Sequence, residues 1–305
     1  MAYLLSICIP TFNRAELLKK TLFSIFSQNA NLDEFEVVIS DNCSTDHTEE
    51  IVMGFKKNYE NINYIKLLVP IYSDINIVNS LSKGKGEFLK LCNDTALFEV
   101  GSISSMVEVI KDNIVQRPII FFSNLDIKQG NYHDTGFNRF IRINSYLSTS
   151  ILSIGIWKHD YNILDNINNA FEYNLPALNL LRKCFKIKSS FVVFNSRIFT
   201  IQYVKDKGGY NIVDVFVSKY LGKVLRSEYQ NRNISLFTFE YEKIKVLVKF
   251  IAPWLKTLKK KNSGFTFGID GANQKLFKIY YYNPLFYLMV IFFLFYDLKV
   301  KFLKD

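Results

Sequence analysis

Four cysteines and three histidines are all that this chain of 305 residues contains. Cys8, Cys43, Cys92 and Cys184 form no C-x-x-C pair and no metal-like spacing, which argues against a zinc module. Cys8 and Cys92 fall inside apolar runs and read as buried small hydrophobes, a usage that suits a reducing cytosol. His47, His133 and His159 share no ligand spacing, so a histidine-based metal site is not expected. No internal repeat is present. The stretch Lys83-Gly84-Lys85-Gly86 lacks the G-x-x-x-x-G-K-[ST] pattern and precedes a strand, so it is not read as a phosphate loop. The first residues carry no basic segment, and Pro10 soon interrupts the apolar run, so no signal peptide is expected. The longest apolar run, Leu285 to Tyr296, would extend about 18 Å as a helix. A bilayer core is about 30 Å thick, so an interfacial or re-entrant helix is expected rather than a simple span. Burial against the globular fold is the alternative.

What the sequence has is apolar content and positive charge. Hydrophobic residues make up 49%, enough for a substantial core. The net charge of +10 favours an anionic partner. The excess is concentrated in Lys243, Lys245, Lys249, Lys256, Lys259, Lys260 and Lys261, interleaved with apolar residues. That pattern suits an anionic membrane surface. A nucleic-acid partner rests on charge alone, without a binding motif, and is not expected.

Short apolar segments alternate with helical periodicity through the first hundred residues. Residues 4–9, 35–40, 63–68 and 87–92 read as strands. Residues 14–28, 44–57 and 74–82 read as helices, the first with Asn13 as its cap. This order predicts an α/β fold with a mostly parallel, Rossmann-like sheet flanked by helices. Further on, helix is expected over 101–113, 166–185, 213–225 and 241–258, with Pro176 splitting the second of these. Strand is expected over 118–122 and 189–194, a strand pair over 148–157, and mostly loop over 123–146.

Three predicted strands end in polar or acidic residues. The first runs into Pro10-Thr11-Phe12-Asn13-Arg14, the second into Asp41-Asn42-Cys43-Ser44-Thr45-Asp46, and the fourth into Asn93-Asp94-Thr95. In an open parallel sheet the carboxyl edge is where ligands bind. A loop that follows a strand and opens a helix also favours anions. Asn13 and Arg14 can reach a ribose or phosphate, and a carboxylate at Asp41 can accept from a base or ribose.

Together these segments resemble the nucleotide-sugar half of family 2 glycosyltransferases, which have the GT-A fold, over roughly residues 3–105. The spacing of Asp74-x-Asn76 and Gly84-x-Gly86 is similar to abequosyltransferase-like members of bacterial surface polysaccharide assembly. The resemblance implies a donor pocket lined by Pro10, Thr11, Asn13, Arg14, Asp41, Asn42, Asn76, Asn93 and Asp94. It implies Mg²⁺ or Mn²⁺ at Asp94 and Thr95, bridging to the donor diphosphate. Only the middle position of that motif keeps an acid here, so metal binding is expected to be weak or dispensable. Asn42 and Cys43 replace the family's second acid and its glycine.

Enzymes of this family invert the anomeric centre, which needs a carboxylate base at the acceptor hydroxyl. The usual Glu-Asp pair is not evident. Glu172 is the best positional match, with Asp160 and Asp134 as alternatives. The expected division is a nucleotide-sugar half at 1–100, an acceptor half at 101–240 and a basic, apolar, membrane-associating helical tail at 241–305. The expected function is transfer of a sugar, from a nucleoside diphosphate donor taken as UDP-linked, to a growing or polyprenyl-diphosphate-linked glycan of a capsule or O-antigen. The expected location is cytoplasmic, peripheral to the inner face of the cell membrane. A non-catalytic, nucleotide-binding or scaffolding protein of the same fold is the second reading.

Overall fold

The computed structural model describes residues 3–125, 130–164, 175–204, 207–258 and 264–291. Chain packing divides it into two units. One comprises Met1–Phe140 with Leu147–Tyr203, and the other Ile141–Tyr146 with Val204–Asp305.

The first unit opens as a β-α alternation: β1 (Leu5–Thr11), α1 (Ala15–Phe26), β2 (Phe35–Asp41), α2 (Thr48–Lys56), β3 (Ile62–Lys66), α3 (Ser73–Ser82) and β4 (Phe88–Leu91). It continues with β5 (Ala96–Phe98), α4 (Ser102–Asp112), β6 (Ile119–Phe122), β7 (Tyr132–Thr135), α5 (Phe137–Asn144, assigned to the second unit from Ile141), β8 (Gly155–Trp157), α6 (Lys158–Ile163), α7 (Pro176–Ile187), β9 (Ser190–Phe194) and β10 (Phe199–Ile201). The main sheet has the order β3-β2-β1-β4-β8. All its pairings are parallel except β8 on β4. β1 and β2 are buried along nearly their whole length, as expected of near-continuous apolar strands covered on both faces. Leu18, Leu22 and Ile25 of α1 and Ile103, Met106 and Ile110 of α4 pack into the same core.

β2 and β3 extend the sheet to one side of β1, and β4 returns on the other side. That reversal makes a switch point at the carboxyl ends of β1 and β4, where open α/β sheets bind ligands.

Beyond residue 112 the structure departs from the sequence reading in several places. The expected loop over 123–146 contains β7, paired antiparallel with β9, and α5. The expected strand pair over 148–157 is two short 3-10 turns followed by β8 alone. The part of the expected helix before Leu175 lies outside the described residues, and Pro176 marks a helix start. It opens α7 at the first turn, where its missing N–H costs nothing.

The second unit holds β11 (Lys207–Asn211), a π-helical segment Asp214–Leu225, α8 (Arg226–Gln230), α9 (Leu236–Val246), π-helical Leu247–Ile251, α10 (Ala252–Leu258), β12 (Phe265–Gly268) and α11 (Ala272–Tyr280). A helix over 284–291 follows. Ser235 caps α9 by accepting from Thr238 N–H, which starts that helix five residues before the expected Tyr241. Among the described residues no helix is long and apolar enough to cross a membrane.

The basic cluster is also less uniform than its sequence suggests. Lys243 is buried, paired with Glu240 at 3.1 Å and set over the Tyr282 ring. Lys245 donates to the Arg142 carbonyl at 3.1 Å. Lys249 and Lys256 are exposed. Burial lowers the affinity of Lys243 and Lys245 for their protons, a cost that solvated membrane-facing lysines would not carry.

The loop Lys83–Gly86 has a specific structural use. The buried Glu36 carboxylate accepts from Ser6 Oγ at 2.7 Å and from the backbone N–H groups of Lys85 and Gly86. The loop therefore wraps an anion that belongs to the protein itself. Gly86 approaches so closely that a Cβ there would lie 2.8 Å from Leu5 C and Ser6 N. Backbone atoms cannot rotate away, so Gly86→Ala should destabilise the fold by about 1–3 kcal/mol. A lowered thermal midpoint with unchanged far-UV circular dichroism would report it.

Candidate active site

Seven of the residues expected at the donor site line one cavity of about 280 Å³ at the switch point: Pro10, Thr11, Arg14, Asn42, Asn76, Asn93 and Asp94. Four residues not foreseen there, Phe12, Ser73, Ile77 and Ile151, complete the wall. Phe12 lies within the first motif, between Thr11 and Asn13, and is 49% exposed. Ile151 has no local signal at all, since only tertiary folding brings the turn before β8 to this edge.

Asp94 organises the floor. Its Oδ2 accepts from Thr11 Oγ1 at 2.9 Å, and its Oδ1 accepts from Arg14 Nη1 at 3.0 Å. Its carbonyl accepts from Thr21 Oγ1 in α1 at 2.9 Å. Burial pushes the Asp94 carboxyl above the ordinary carboxylate range, against the charge and hydrogen bond of Arg14 and the bond from Thr11.

Asp41, Asn13 and Thr95 do not line the cavity. Asp41 is fully buried, and its oxygens accept from Ser44 N–H at 2.9 Å and Tyr64 Oη at 2.7 Å. Burial, then the bond to Asp41, raises the Tyr64 phenol far above its usual value, so it stays a donor. Asn13 adopts φ 50°, donates its N–H to Ser44 Oγ at 2.9 Å and accepts from Thr45 N–H at 2.8 Å. It ties the two loops together and does not cap α1. That task falls to Asp46, whose Oδ2 accepts from Ala15 N–H at 3.0 Å while its Oδ1 accepts from Thr48 N–H at 3.1 Å. One exposed carboxylate thus holds the starts of α1 and α2.

The departures from the expected motif have local causes. Asn42 donates to the Ile71 carbonyl and accepts from the Ile71 N–H, both at 2.8 Å. An acid there could not donate. Cys43 adopts φ 66°, the left-handed region that explains an expected glycine. Asn76 accepts from Ser40 Oγ at 2.6 Å and donates to the Ser40 carbonyl at 2.9 Å, fixing α3 against β2.

Two of the three expected bases, Asp160 and Asp134, are engaged outside the cavity lining. Asp160 forms an ion pair with Lys188, whose Nζ also donates to the Arg117 carbonyl at 2.6 Å, and it does not line the cavity. Asp134 is held by Tyr132 and Arg139. Glu172 lies outside the described residues.

The residues at the cavity do not fit a tightly held resident cation. Asp94 is the only carboxylate among its described lining residues, both oxygens are engaged, and Asn93 beside it offers only a neutral oxygen, as does Thr95 outside the lining. Among the described residues no three His, Cys, Asp or Glu side chains come together as a metal site.

A mostly parallel sheet that gathers polar residues from the ends of β1, β2 and β4 at one switch point has the GT-A architecture. Residues 6–156 match Glycosyl transferase family 2, and the chain belongs to that family and is a glycosyltransferase. It is 27% identical over 239 residues to a GalNAc(5)-diNAcBac-PP-undecaprenol beta-1,3-glucosyltransferase of Campylobacter jejuni, covering 73% of this chain and 74% of the relative. It is 44% identical over 87 residues to abequosyltransferase RfbV of Salmonella typhimurium, but this covers only 28% of the chain and 26% of the relative. Among solved structures, residues 1–349 of S. aureus TarS in complex with UDP-GlcNAc superimpose with a TM-score of 0.55 at 17% identity, covering 85% of this chain and 76% of that one. At that identity the likeness establishes the fold.

Tyr64→Phe would leave a buried Asp41 oxygen without its donor and should cost about 1–3 kcal/mol, read by denaturant unfolding. Asp46 yields a pH prediction. Burial raises its pKa, but the bonds from Thr48 and Ala15 outweigh that and hold the carboxyl below the ordinary value. The unfolded chain therefore binds the proton more readily, so the contribution is complete above the unfolded Asp pKa of about 3.9 and lost as pH falls through the depressed folded value. Asp46→Asn should flatten that acid limb in melts recorded across acidic pH.

Proposed function

We propose that the chain is an inverting glycosyltransferase of bacterial surface polysaccharide assembly. It would transfer a sugar from a nucleoside diphosphate donor, taken as a UDP-sugar, to a growing or polyprenyl-diphosphate-linked glycan. The observation that carries this reading is the cavity at the β1/β4 switch point, where Thr11, Arg14 and Asp94 converge from two strand ends. The C. jejuni relative, whose name specifies an undecaprenol-linked substrate, supports the acceptor class, and the TarS complex with UDP-GlcNAc supports the donor class.

In the reaction the acceptor oxygen attacks the anomeric carbon as its proton passes to a carboxylate base. The bond from that carbon to the diphosphate breaks, and the nucleoside diphosphate leaves with the bonding pair. The protein must orient the donor, stabilise charge on the departing diphosphate and place the base. Residues 1–100 take the donor role, and residues 101–240 the acceptor role. A divalent ion, Mg²⁺ or Mn²⁺, would supply charge neutralisation if bound, with Asp94 as its one protein carboxylate. Glu172 is the proposed base, on its position in the sequence.

Membrane attachment is proposed through the second unit. Phe277, Tyr281, Tyr282 and Leu288 are each more than half exposed, and Lys249 and Lys256 supply exposed charge on the preceding helices. Such an apolar and basic combination suits the headgroup region of an anionic leaflet.

The testing experiment offers UDP-sugars with a polyprenyl-diphosphate-linked acceptor and detects the product by mass spectrometry. Transfer with inversion is expected, and Glu172→Gln should lower kcat by roughly 10²–10⁴-fold with the melting midpoint unchanged. Full activity of that variant would remove Glu172 as base. Absence of transfer from any nucleotide sugar offered would favour a scaffold instead. The protein should also sediment with phosphatidylglycerol vesicles and not with neutral ones, and Lys249→Glu with Lys256→Glu should weaken that binding. Equal sedimentation with both vesicle types would remove the electrostatic part of the attachment.

A further inference from the structure

The family pattern expects a divalent ion at the end of β4, yet the cavity there already contains a fixed cation. We infer that Arg14, held on Asp94, is the group that neutralises the donor diphosphate, so that nucleotide binding does not depend on a metal ion. This rests on the donor-site reading above.

The anchoring is asymmetric. The Asp94 side chain is 4% exposed and that of Arg14 is 48% exposed. Nη1 is bonded into the floor, while the side chain lines the cavity. A guanidinium is a planar fork that matches phosphate oxygens in pairs. Arg14 is also the only Lys or Arg among the described residues that line the cavity. Thr11 fixes the far oxygen of Asp94, and Thr21 fixes its carbonyl, so the pair is oriented before any ligand arrives. Preorganisation of this kind lowers the entropic cost of binding.

Two alternatives are disfavoured by the same geometry. The start of α1 does not offer its first N–H to an anion, because Ala15 N–H is bonded to Asp46. Glu16 in the first turn adds a further negative charge there. A divalent ion on Asp94 would have to displace the Arg14 bond and then stand beside the guanidinium, with like charges a few ångströms apart. Hard cations take six or more oxygen ligands, and the protein here offers one carboxylate. Asp94 thereby becomes a positioning residue for Arg14.

The test is calorimetric titration of the full chain with UDP, GDP, CDP and dTDP, and with the matching nucleosides, in EDTA and again in Mn²⁺ or Mg²⁺. The inference expects one diphosphate to bind with the same affinity in EDTA and in metal. Arg14→Gln should weaken that binding roughly tenfold to a hundredfold and leave the nucleoside unaffected. Arg14→Lys should recover part of the loss, and keeps the test valid if the glutamine variant melts early. Diphosphate binding that requires metal in the wild type would overturn this inference alone. So would an Arg14→Gln protein, shown folded, that binds the diphosphate as the wild type does. Failure of every nucleotide to bind the folded wild type would overturn the donor-site reading and this inference with it.

Discussion

The first unit depends on one buried carboxylate. Asp94 leaves the end of β4 and is bonded within the protein to Thr11 at the end of β1 and Arg14 at the head of α1. Removing water from an acid is costly unless its oxygens are satisfied, and here both are. The satisfied pair defines the cavity floor. It also brings together two segments eighty residues apart in sequence, whose strands β1 and β4 are paired in the sheet.

The same logic recurs along the ligand edge and opposite it. Asp41 orders the loop after β2, Asp46 joins the starts of α1 and α2, and Glu36 closes the loop before β4. Each is an acid accepting backbone N–H groups that would otherwise lack partners. Residues that look like ligand contacts in a linear motif are therefore partly the scaffold of the loops that carry the contacts. Cys43 shows the cost of such a scaffold, since a left-handed φ disfavours a non-glycine residue by about 1–2 kcal/mol.

The second unit is built around a different buried acid. Glu242 accepts from Ser145 Oγ at 2.6 Å and Tyr220 Oη at 2.9 Å, and burial raises its carboxyl above the ordinary range. Tyr280 reaches back to the Lys243 carbonyl at 2.9 Å. Polar ties of this kind fix the packing of α9, the π-helical segment Asp214–Leu225 and α11, with Tyr220 and Tyr280 buried and Phe277 and Tyr281 exposed.

Much of the first hundred residues was legible in the sequence because their strands are continuous apolar runs with breakers at their ends. β1, β2, β3 and β4 and the helices between them fall within a few residues of expectation, and seven of the motif residues meet in one cavity. Beyond residue 112 the local signals are weak. β7 and α5 are stabilised by long-range pairing and packing that a linear reading does not contain, and β8 finds its place only as an antiparallel edge on β4. The sequence by itself determined the alternation of strand and helix, the polar strand ends and therefore the class of fold, because apolar periodicity and turn chemistry act over a few residues. Tertiary structure alone decided which acids face the cavity and which are absorbed as internal ties. It also decided that Arg14 is paired with Asp94 and that Lys243 is buried. Those outcomes depend on which groups lose water together, and the relevant partners are distant in sequence.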